Sequence, residues 1–168
     1  MLDKMAEKAP EFTHINDDRA YMVDVTAKDD VSREATAEGK IYLRPATLRA
    51  IDTGTAVKGN VLGTARIASI MAAKETSSVI PMCHPLPIGG VDVAFTRGEG
   101  YISVTATVKT YGKTGIEMEA LHAASVALLT IWDMVKSAEK DEHGQYPFTR
   151  ITDICVTEKK KGLPATQV

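Results

Sequence analysis

The sequence predicts an α+β fold in which helices cover one face of an antiparallel sheet, and it favours a ferredoxin-like arrangement. Residues 91–97 and 101–110 alternate apolar and polar side chains on either side of a Gly-Glu-Gly turn, a pattern typical of a β-hairpin. A long apolar helix is predicted directly after the hairpin, so its apolar side can cover the apolar face of the two strands. With a last strand predicted at residues 149–157, this order of elements is that of an α+β sandwich.

Before the hairpin, the sequence predicts an arm, a short strand and two helices. Residues 1–38 are rich in charge and show no sustained period, so we expect an N-terminal arm that is ordered only where it docks. A short strand is predicted at residues 40–44, and a helix at residues 45–51, whose first turn suits a proline. A second helix is predicted at residues 61–75, with Asn60 as its capping residue.

Two loops carry candidate functional residues. Lys58 lies in the loop before the second helix, where free backbone N–H groups favour an anion; a solvated surface lysine is the alternative. Met82, Cys83 and His84 lie between two prolines, which stiffen this loop and disfavour a helix. A packing role is the alternative for His84, because no nearby third ligand completes a metal site with Cys83.

The helix after the hairpin is predicted at residues 117–137, because this segment lacks Gly and Pro and is rich in helix formers. Thr114 and Gly115 are expected to cap its start. Glu117 and Glu119 fall in its first turn, where carboxylates suit the positive end of the helix dipole. Since most of its surface is apolar or small, we expect it to be covered on more than one side.

The polar residues of this helix are candidates for function because they interrupt an otherwise apolar surface. Asp133 and Lys136 are three positions apart and share a face, which an exposed ion pair would also explain. Glu119 and Asp133 are 14 positions apart, about 21 Å along the axis, so one helix cannot bring both to one reacting atom. We therefore hypothesise that two copies of the helix run antiparallel across a two-fold axis. This would place the helix near a dimer interface and the active sites between protomers.

Composition limits the possible classes of protein. The chain has 168 residues, of which 44% are hydrophobic and 25% charged, as expected for one globular domain at residues 39–158 between the arm and a C-terminal tail at 159–168. Nucleic-acid binding is not expected, since the net charge is −2 and the only basic run is residues 159–161. The two cysteines lack the spacing of a disulfide framework or structural zinc site.

No apolar run is expected to reach the length that spans a bilayer, and the N-terminus lacks the apolar core of a signal peptide. We therefore expect a soluble cytoplasmic protein without a membrane partner. The turn at Gly112 to Thr114 lacks the upstream glycine of a P-loop, where Thr107 stands instead, but a basic turn near a helix start can still bind phosphate.

Five stretches together closely resemble one protein family. They are THIN (13–16), MVDV (22–25), VKGNVLGTARIA (57–68), IPMCHPL (80–86) and GKTGIEMEALHAASVALLTIWDM (112–134). The family is that of the cyclic pyranopterin monophosphate synthases of molybdenum cofactor biosynthesis, called MoaC. The resemblance runs from about His14 to Glu158, and departures such as Asp17 and Asp18 lie mostly outside the motifs.

The resemblance implies a ferredoxin-like fold and a homohexamer built as three dimers, with active sites between protomers. It implies a lyase whose substrate, 3′,8-cyclo-7,8-dihydro-GTP, is rearranged to cyclic pyranopterin monophosphate while pyrophosphate leaves. No redox cofactor and no metal site are implied, although Mg²⁺ can accompany the triphosphate.

The resemblance also implies roles for individual residues. Asp133 matches the active-site aspartate, and we assign Lys136 to proton transfer with Asp133 orienting or charging it. Lys58 is assigned to pyrophosphate departure, and the two lysines could exchange roles. A lysine close to other cations can have its pKa lowered enough to act as an acid or base.

By the same match, the remaining candidates surround the substrate. His84 is expected to donate to phosphate, and Glu119 to accept from the amino-pyrimidinone edge. The substrate-binding candidates are Met82, Cys83, His84, Met118 and Glu119 in the pocket, with Glu117, Lys113 and Arg33 as supporting or phosphate contacts.

Two other functions are compatible with the same residues. One is a metal-dependent GTP cyclohydrolase that uses Cys83 and His84 as zinc ligands, which the absent third ligand argues against. The other is a non-catalytic oligomer that only binds GTP. Activity lost on treatment with a chelator would indicate the first, and tight binding without turnover the second.

Overall fold

The computed structural model describes residues 15–16 and 19–163. Residues 1–14, which belong to the predicted arm and include His14, lie outside this part of the chain, as do Asp17, Asp18 and residues 164–168. The elements of the described part, in chain order, are β1 Ile15–Asn16, β2 Arg19–Ala20, β3 Val31–Tyr42, α1 Pro45–Asp52, α2 Val61–Lys74, α3 Thr76–Val79, β4 Ile88–Gly98, β5 Tyr101–Gly112, α4 Glu117–Glu139 and β6 Arg150–Lys161.

The main sheet has the strand order β4-β5-β3-β6, and each neighbouring pair is antiparallel. The succession β3, α2, β4, β5, α4, β6 in this order is the ferredoxin-like topology, so the predicted fold class is confirmed. Helices α2 and α4 pack against each other and against the sheet. The short strands β1 and β2 pair with each other as a separate two-stranded sheet.

The predicted hairpin is formed by β4 and β5. Gly98 pairs with Tyr101, and Gly100 takes the left-handed φ of +79° that a tight turn of this kind requires. Along β5 every second residue is buried beneath the helices, and these residues are Ile102, Val104, Ala106 and Val108. The alternation seen in the sequence therefore corresponds to one buried and one open face.

Strand β3 is much longer than the strand predicted at residues 40–44, because it begins at Val31. Its whole length pairs with β5, from Val31 opposite Gly112 to Tyr42 opposite Tyr101. The buried residues of β3 are Val31, Ala35, Ala37, Gly39 and Ile41, and the three small residues in its middle give a weak hydrophobic pattern. Part of the segment interpreted as an arm therefore belongs to the centre of the sheet. At the other end of the chain, β6 also extends further than predicted, to Lys161.

Helix α4 starts at the predicted residue and ends two residues later than predicted. Its N-cap is Ile116, and no side chain caps it, so the expected caps Thr114 and Gly115 were wrong. The cap of α2 is confirmed, because Asn60 accepts a hydrogen bond of 2.8 Å from the Gly63 N–H.

α4 is long and apolar enough, by length and composition alone, to cross a membrane. The prediction that no run approaches that length was therefore wrong. In the fold, however, one side of α4 is buried against the sheet and α2. Its buried apolar residues are Ala120, Ala123, Ala124, Ala127, Leu128, Ile131 and Val135.

The small residues on α4 and β3 let the two backbones approach closely. A Cβ added to Gly39 would lie 2.7 Å from Leu128 Cδ1 and 3.1 Å from Ile154 Cγ1. Ser69 of α2 also donates a hydrogen bond of 2.9 Å to the Ala123 carbonyl of α4. The helix layer is thereby held at fixed positions over the sheet.

The C-terminal end of α4 is fixed by a buried carboxylate that the sequence analysis did not single out. Glu139 is fully buried. Its two oxygens accept from the Arg44 N–H at 3.2 and 3.3 Å, and one also accepts from the Thr149 hydroxyl at 2.6 Å. Glu139 therefore joins the end of α4 to the start of α1 and to the residue before β6.

Candidate functional site

A cavity of about 490 Å³ lies beside the N-terminal end of α4. Its volume is within the range of small-molecule sites. The arm, the loop before β4, the first turn of α4 and the end of β6 all contribute to its wall. The lining residues are Val23, Val25, Lys28, Met82, Cys83, His84, Leu86, Thr114, Gly115, Glu117, Met118, Glu119 and Lys159.

The loop that carries Met82, Cys83 and His84 is fixed at both ends. At its start, the Cys83 N–H donates to the Ile80 carbonyl at 3.0 Å. At its end, the Thr110 hydroxyl donates to the Pro87 carbonyl at 2.7 Å and so fastens the loop to β5. The structure thus brings these three residues together with Glu117, Met118 and Glu119 around one cavity.

The two carboxylates at the start of α4 lie in different electrostatic environments. Glu119 is only 3% exposed, and burial raises its pKa, as does the charge of Glu117, while a hydrogen bond from the local backbone partly opposes them. Burial is the largest single influence on Glu117 and acts to raise its pKa, but the hydrogen bond and charge of Lys159, a local backbone hydrogen bond and the charge of Arg33 together lower the net pKa. Glu119 is therefore a poorly solvated acceptor, whereas Glu117 is already paired.

The surroundings of Cys83 in this cavity disfavour its thiolate form. Burial raises its pKa, and the nearby charge of Glu119 raises it further. Among the residues that the structure describes, no group of three or more His, Cys, Asp and Glu side chains is arranged to hold a metal ion. A zinc site based on Cys83 and His84 therefore lacks a third such ligand within that part of the chain.

Lys159 lines the cavity, although the sequence analysis did not select it. It belongs to a run of three lysines, and nothing in the sequence distinguishes it from Lys160 and Lys161. In the sheet it pairs with Ala35, a residue on the buried face of β3, whereas Lys160 pairs with Glu34. Lys161 lies on the same face of β6 but pairs with Arg33, so the position of Lys159 opposite Ala35 is what accompanies its place in the cavity wall.

A second cluster lies on the C-terminal half of α4. The Asp133 carboxylate is 2.7 Å from Lys136 Nζ and 2.8 Å from Lys58 Nζ. Lys58 also donates to the Asp133 backbone carbonyl at 2.8 Å, so it connects the loop before α2 to α4. The structure therefore brings together all three residues that were assigned to catalysis.

In this cluster the opposite charges of Asp133 and Lys136 favour the ionised form of each other. The hydrogen bonds from Lys136 and Lys58, together with their charges, lower the pKa of Asp133 to about 2. In turn, the hydrogen bond and charge of Asp133 raise the pKa of Lys136. The expectation that neighbouring cations would lower the pKa of this lysine was wrong for the single chain, because Asp133 stands between the two ammonium groups.

Lys113 and Arg33 lie next to the cavity, but their side chains donate to backbone carbonyls. Arg33 donates to the Gly112 carbonyl at 2.9 Å and to the Lys113 carbonyl at 3.0 Å. Lys113 Nζ donates to the carbonyls of Thr26 and Lys28 at 3.1 and 2.6 Å. Neither is among the residues lining the cavity.

Comparison with known proteins gives a consistent result. The family model described as the MoaC family matches residues 22–162. A probable cyclic pyranopterin monophosphate synthase of Methanoregula boonei is 66% identical over 152 residues, which cover 90% of this chain and 98% of that protein. A protein of the same name from Methanocorpusculum labreanum is 64% identical over 156 residues, or 92% of this chain and 99% of that protein. Another from Pyrococcus abyssi is 56% identical over 149 residues, or 89% and 94%.

Proposed function

The chain belongs to the MoaC family, and from this premise we propose that it is a cyclic pyranopterin monophosphate synthase. The enzyme is a lyase that converts 3′,8-cyclo-7,8-dihydro-GTP to cyclic pyranopterin monophosphate and releases pyrophosphate, an early step of molybdenum cofactor biosynthesis. The observation that carries the proposal is the cavity at the start of α4, which gathers the loop and helix residues of the family motifs around one space.

The reaction requires proton transfers and stabilisation of negative charge. The imidazole ring of the substrate must open and reclose as a pterin ring, and a ribose-derived oxygen must attack the α-phosphorus. General acids and bases serve the first part, and hydrogen-bond donors or cations serve the second. Both kinds of group are present, in the cavity and in the Asp133 cluster.

In the cavity, Glu119 is proposed to bind the amino-pyrimidinone edge. Its buried carboxylate has a raised pKa, so N–H donors from the substrate would compensate a charge that is poorly solvated in the free protein. His84 is proposed to donate to a phosphate. Met82, Cys83 and Met118 supply less polar wall against which a flat ring system can pack.

In the second cluster, Lys136 is proposed to transfer the proton and Asp133 to orient it. Because Asp133 raises the pKa of Lys136, this lysine enters the reaction as an ammonium group and acts first as a proton donor. Lys58 is proposed to assist departure of pyrophosphate. The two lysines are held by one carboxylate, so exchange of their roles is the alternative within this proposal.

Assembly is part of the proposal, because the two clusters are separated along one helix. Glu119 and Asp133 are about 21 Å apart along α4, a distance that a second antiparallel copy would close. Exposed apolar side chains on the helix layer support such packing: Leu129 is 58% exposed on α4, while Ile67 and Met71 are 64% and 60% exposed on α2. We propose a homohexamer of three dimers with sites between subunits.

The remaining parts of the proposal concern cofactors and location. We propose a cytoplasmic enzyme that needs no redox cofactor and has neither nucleic acid nor membrane as a partner. Mg²⁺ is proposed to enter only together with the triphosphate of the substrate.

The test is pyrophosphate release from the cyclised dihydro-GTP substrate. Wild-type protein is expected to release pyrophosphate, and Lys136→Ala and Asp133→Asn are each expected to lose this activity while retaining fold and assembly. Failure of the wild-type protein to release it would overturn the enzyme assignment. Tight GTP binding that Asp133→Asn leaves unchanged would then indicate the non-catalytic binding protein.

A further inference from the structure

Residues 21–30, the part of the predicted arm that lies between β2 and β3, form one wall of the cavity and are called the arm below. Residues 21–30 form neither helix nor strand, yet Val23, Val25 and Lys28 line the cavity. The segment has a local turn, in which the Lys28 N–H donates to the Val25 carbonyl at 3.0 Å. This turn shapes the wall but does not attach it to the rest of the protein.

Lys113 supplies such an attachment. Its ammonium group donates to the Thr26 carbonyl at 3.1 Å and to the Lys28 carbonyl at 2.6 Å, and it lies 3.8 Å from the Asp30 carboxylate. An ammonium group has three donors, and two of them are used on backbone carbonyls of the arm. The contacts are therefore directed at the path of the arm rather than at the cavity.

The backbone that carries Lys113 is itself fixed to the sheet. Lys113 follows the last residue of β5, Gly112, which pairs with Val31 of β3. Arg33 of β3 donates to the carbonyls of both Gly112 and Lys113. A continuous series of contacts thus runs from the sheet through Arg33 and Lys113 to the arm.

From this geometry we infer that Lys113 is a positioning residue, which holds residues 23–28 as a wall of the substrate cavity. The inference rests on the proposed function, because it concerns the substrate affinity of that cavity. Lys113 is not among the residues that line the cavity in this arrangement. Loss of its contacts releases a binding wall while the Asp133 cluster stays intact.

The expected kinetic effect follows because Lys113 holds a wall of the binding cavity and is not part of the Asp133 cluster. Lys113→Met keeps the aliphatic stem and removes the donors, so KM is expected to rise about tenfold while kcat stays within about threefold, as for loss of binding shared by ground and transition states. Lys113→Arg keeps a charged donor and is expected to restore much of the affinity.

Hydrogen exchange on the full-length, assembled protein without ligand separates this role from a phosphate contact. In Lys113→Met, amides of residues 23–30 are expected to exchange about tenfold faster, while those of α2 and α4 are unchanged. Lys109→Met is the matched control, since Lys109 pairs with Glu34 on an exposed part of β5 and is expected to leave the exchange of the arm unchanged.

The outcomes are distinct. Unchanged exchange in the arm of Lys113→Met overturns the inference, and a raised KM in that case assigns Lys113 to the phosphates instead. If Lys113→Met fails to assemble, Lys113→Ala provides the same comparison, because it also removes the donors. The exchange experiment needs no substrate, so it tests the attachment of the arm even if pyrophosphate release by the wild-type protein fails.

Discussion

At the scale of single residues, Glu117 and Glu119 show how position decides the properties of identical side chains. They are two positions apart in the first turn of α4, and the helix dipole acts on both. Glu117 meets Lys159 from the end of β6, whereas Glu119 is buried at the cavity. Their pKa values are consequently shifted in opposite directions, so their contributions to stability depend on pH with opposite signs.

Glu119→Gln is expected to stabilise the protein at pH 7.5 by about 1–2 kcal/mol, a typical cost of burying an incompletely compensated polar group. The pKa of Glu119 is raised in the folded state, so its penalty is absent below the pKa of the unfolded chain, grows as pH rises towards the folded value and is fully present above it. The gain should therefore disappear near pH 4. Urea unfolding of wild type and variant at the two pH values measures it.

Glu117→Gln is the matched control for this prediction. The pKa of Glu117 is lowered, so its stabilising contribution is present above the unfolded pKa and is lost as pH falls through the folded value. Glu117→Gln should therefore destabilise the protein at pH 7.5. If both variants changed stability in the same direction at pH 7.5, the opposite environments inferred for the two carboxylates would be contradicted.

At the scale of secondary-structure elements, the contact between α4 and β3 depends on the absence of a side chain at residue 39. Gly39→Ala is expected to lower the free energy of unfolding by about 1–3 kcal/mol, because its Cβ would overlap Leu128 in a packed core. Denaturant unfolding measures this loss. Gly90→Ala is a suitable control, since a Cβ at that position meets open space. Equal effects at both positions would show that close packing is not the cause.

The buried Glu139 carboxylate at the C-terminal end of α4 leads to a second prediction, about stability. Glu139→Ala is expected to destabilise the protein by about 2–4 kcal/mol, because it leaves the Arg44 N–H and Thr149 hydroxyl without their acceptor. Thr149→Val removes one donor and should cost less, about 1 kcal/mol. Thermal or urea unfolding distinguishes the two, and a smaller effect of Glu139→Ala than of Thr149→Val would contradict this account.

The accuracy of the sequence predictions varies with the size of the buried side chains. The β4–β5 hairpin was predictable because larger apolar residues alternate with polar ones along β5, and α4 because its segment lacks Gly and Pro and is rich in helix formers. Residues 31–39 of β3 were not predictable, because Ala35, Ala37 and Gly39 on the buried face give little contrast with the polar face. The capping of α4 was also missed, since Ile116 occupies the N-cap without a side-chain hydrogen bond.

The accuracy of the site predictions depends on how far apart in the sequence the residues lie. Residues that are neighbours in sequence, such as Met82 to His84, could be grouped from local pattern and family resemblance. The approach of Lys58 to Asp133 crosses 75 positions of sequence, and the choice of Lys159 depends on strand register. Such contacts depend on the tertiary fold, so no local pattern in a single sequence contains them.

At the scale of the whole molecule, the separation of the two clusters predicts complementation between inactive chains. Glu119→Gln and Asp133→Asn impair different clusters, so a mixed dimer would have one site with both changes and one with neither. Equal mixing with random pairing should restore about a quarter of wild-type activity. Pyrophosphate release by co-expressed or co-refolded chains is the measurement.

The control is a mixture of Lys136→Ala and Asp133→Asn. Both residues belong to one cluster, so every site of a mixed dimer carries a defect and no activity should return. Recovery in neither mixture, or equal recovery in both, would show that the two clusters are not shared between chains in the proposed way.

The continuous helix between Glu119 and Asp133 has a consequence for how this protein can evolve. An α-helix turns by about 100° per residue, so one inserted or deleted residue would swing one cluster to a different side of the axis from the other. Exchanges of one side chain for another leave that angle unchanged. Substitutions within this stretch are therefore compatible with the relative position of the two clusters, whereas insertions and deletions are not. Alignments of homologous sequences should accordingly lack gaps at residues 119–133.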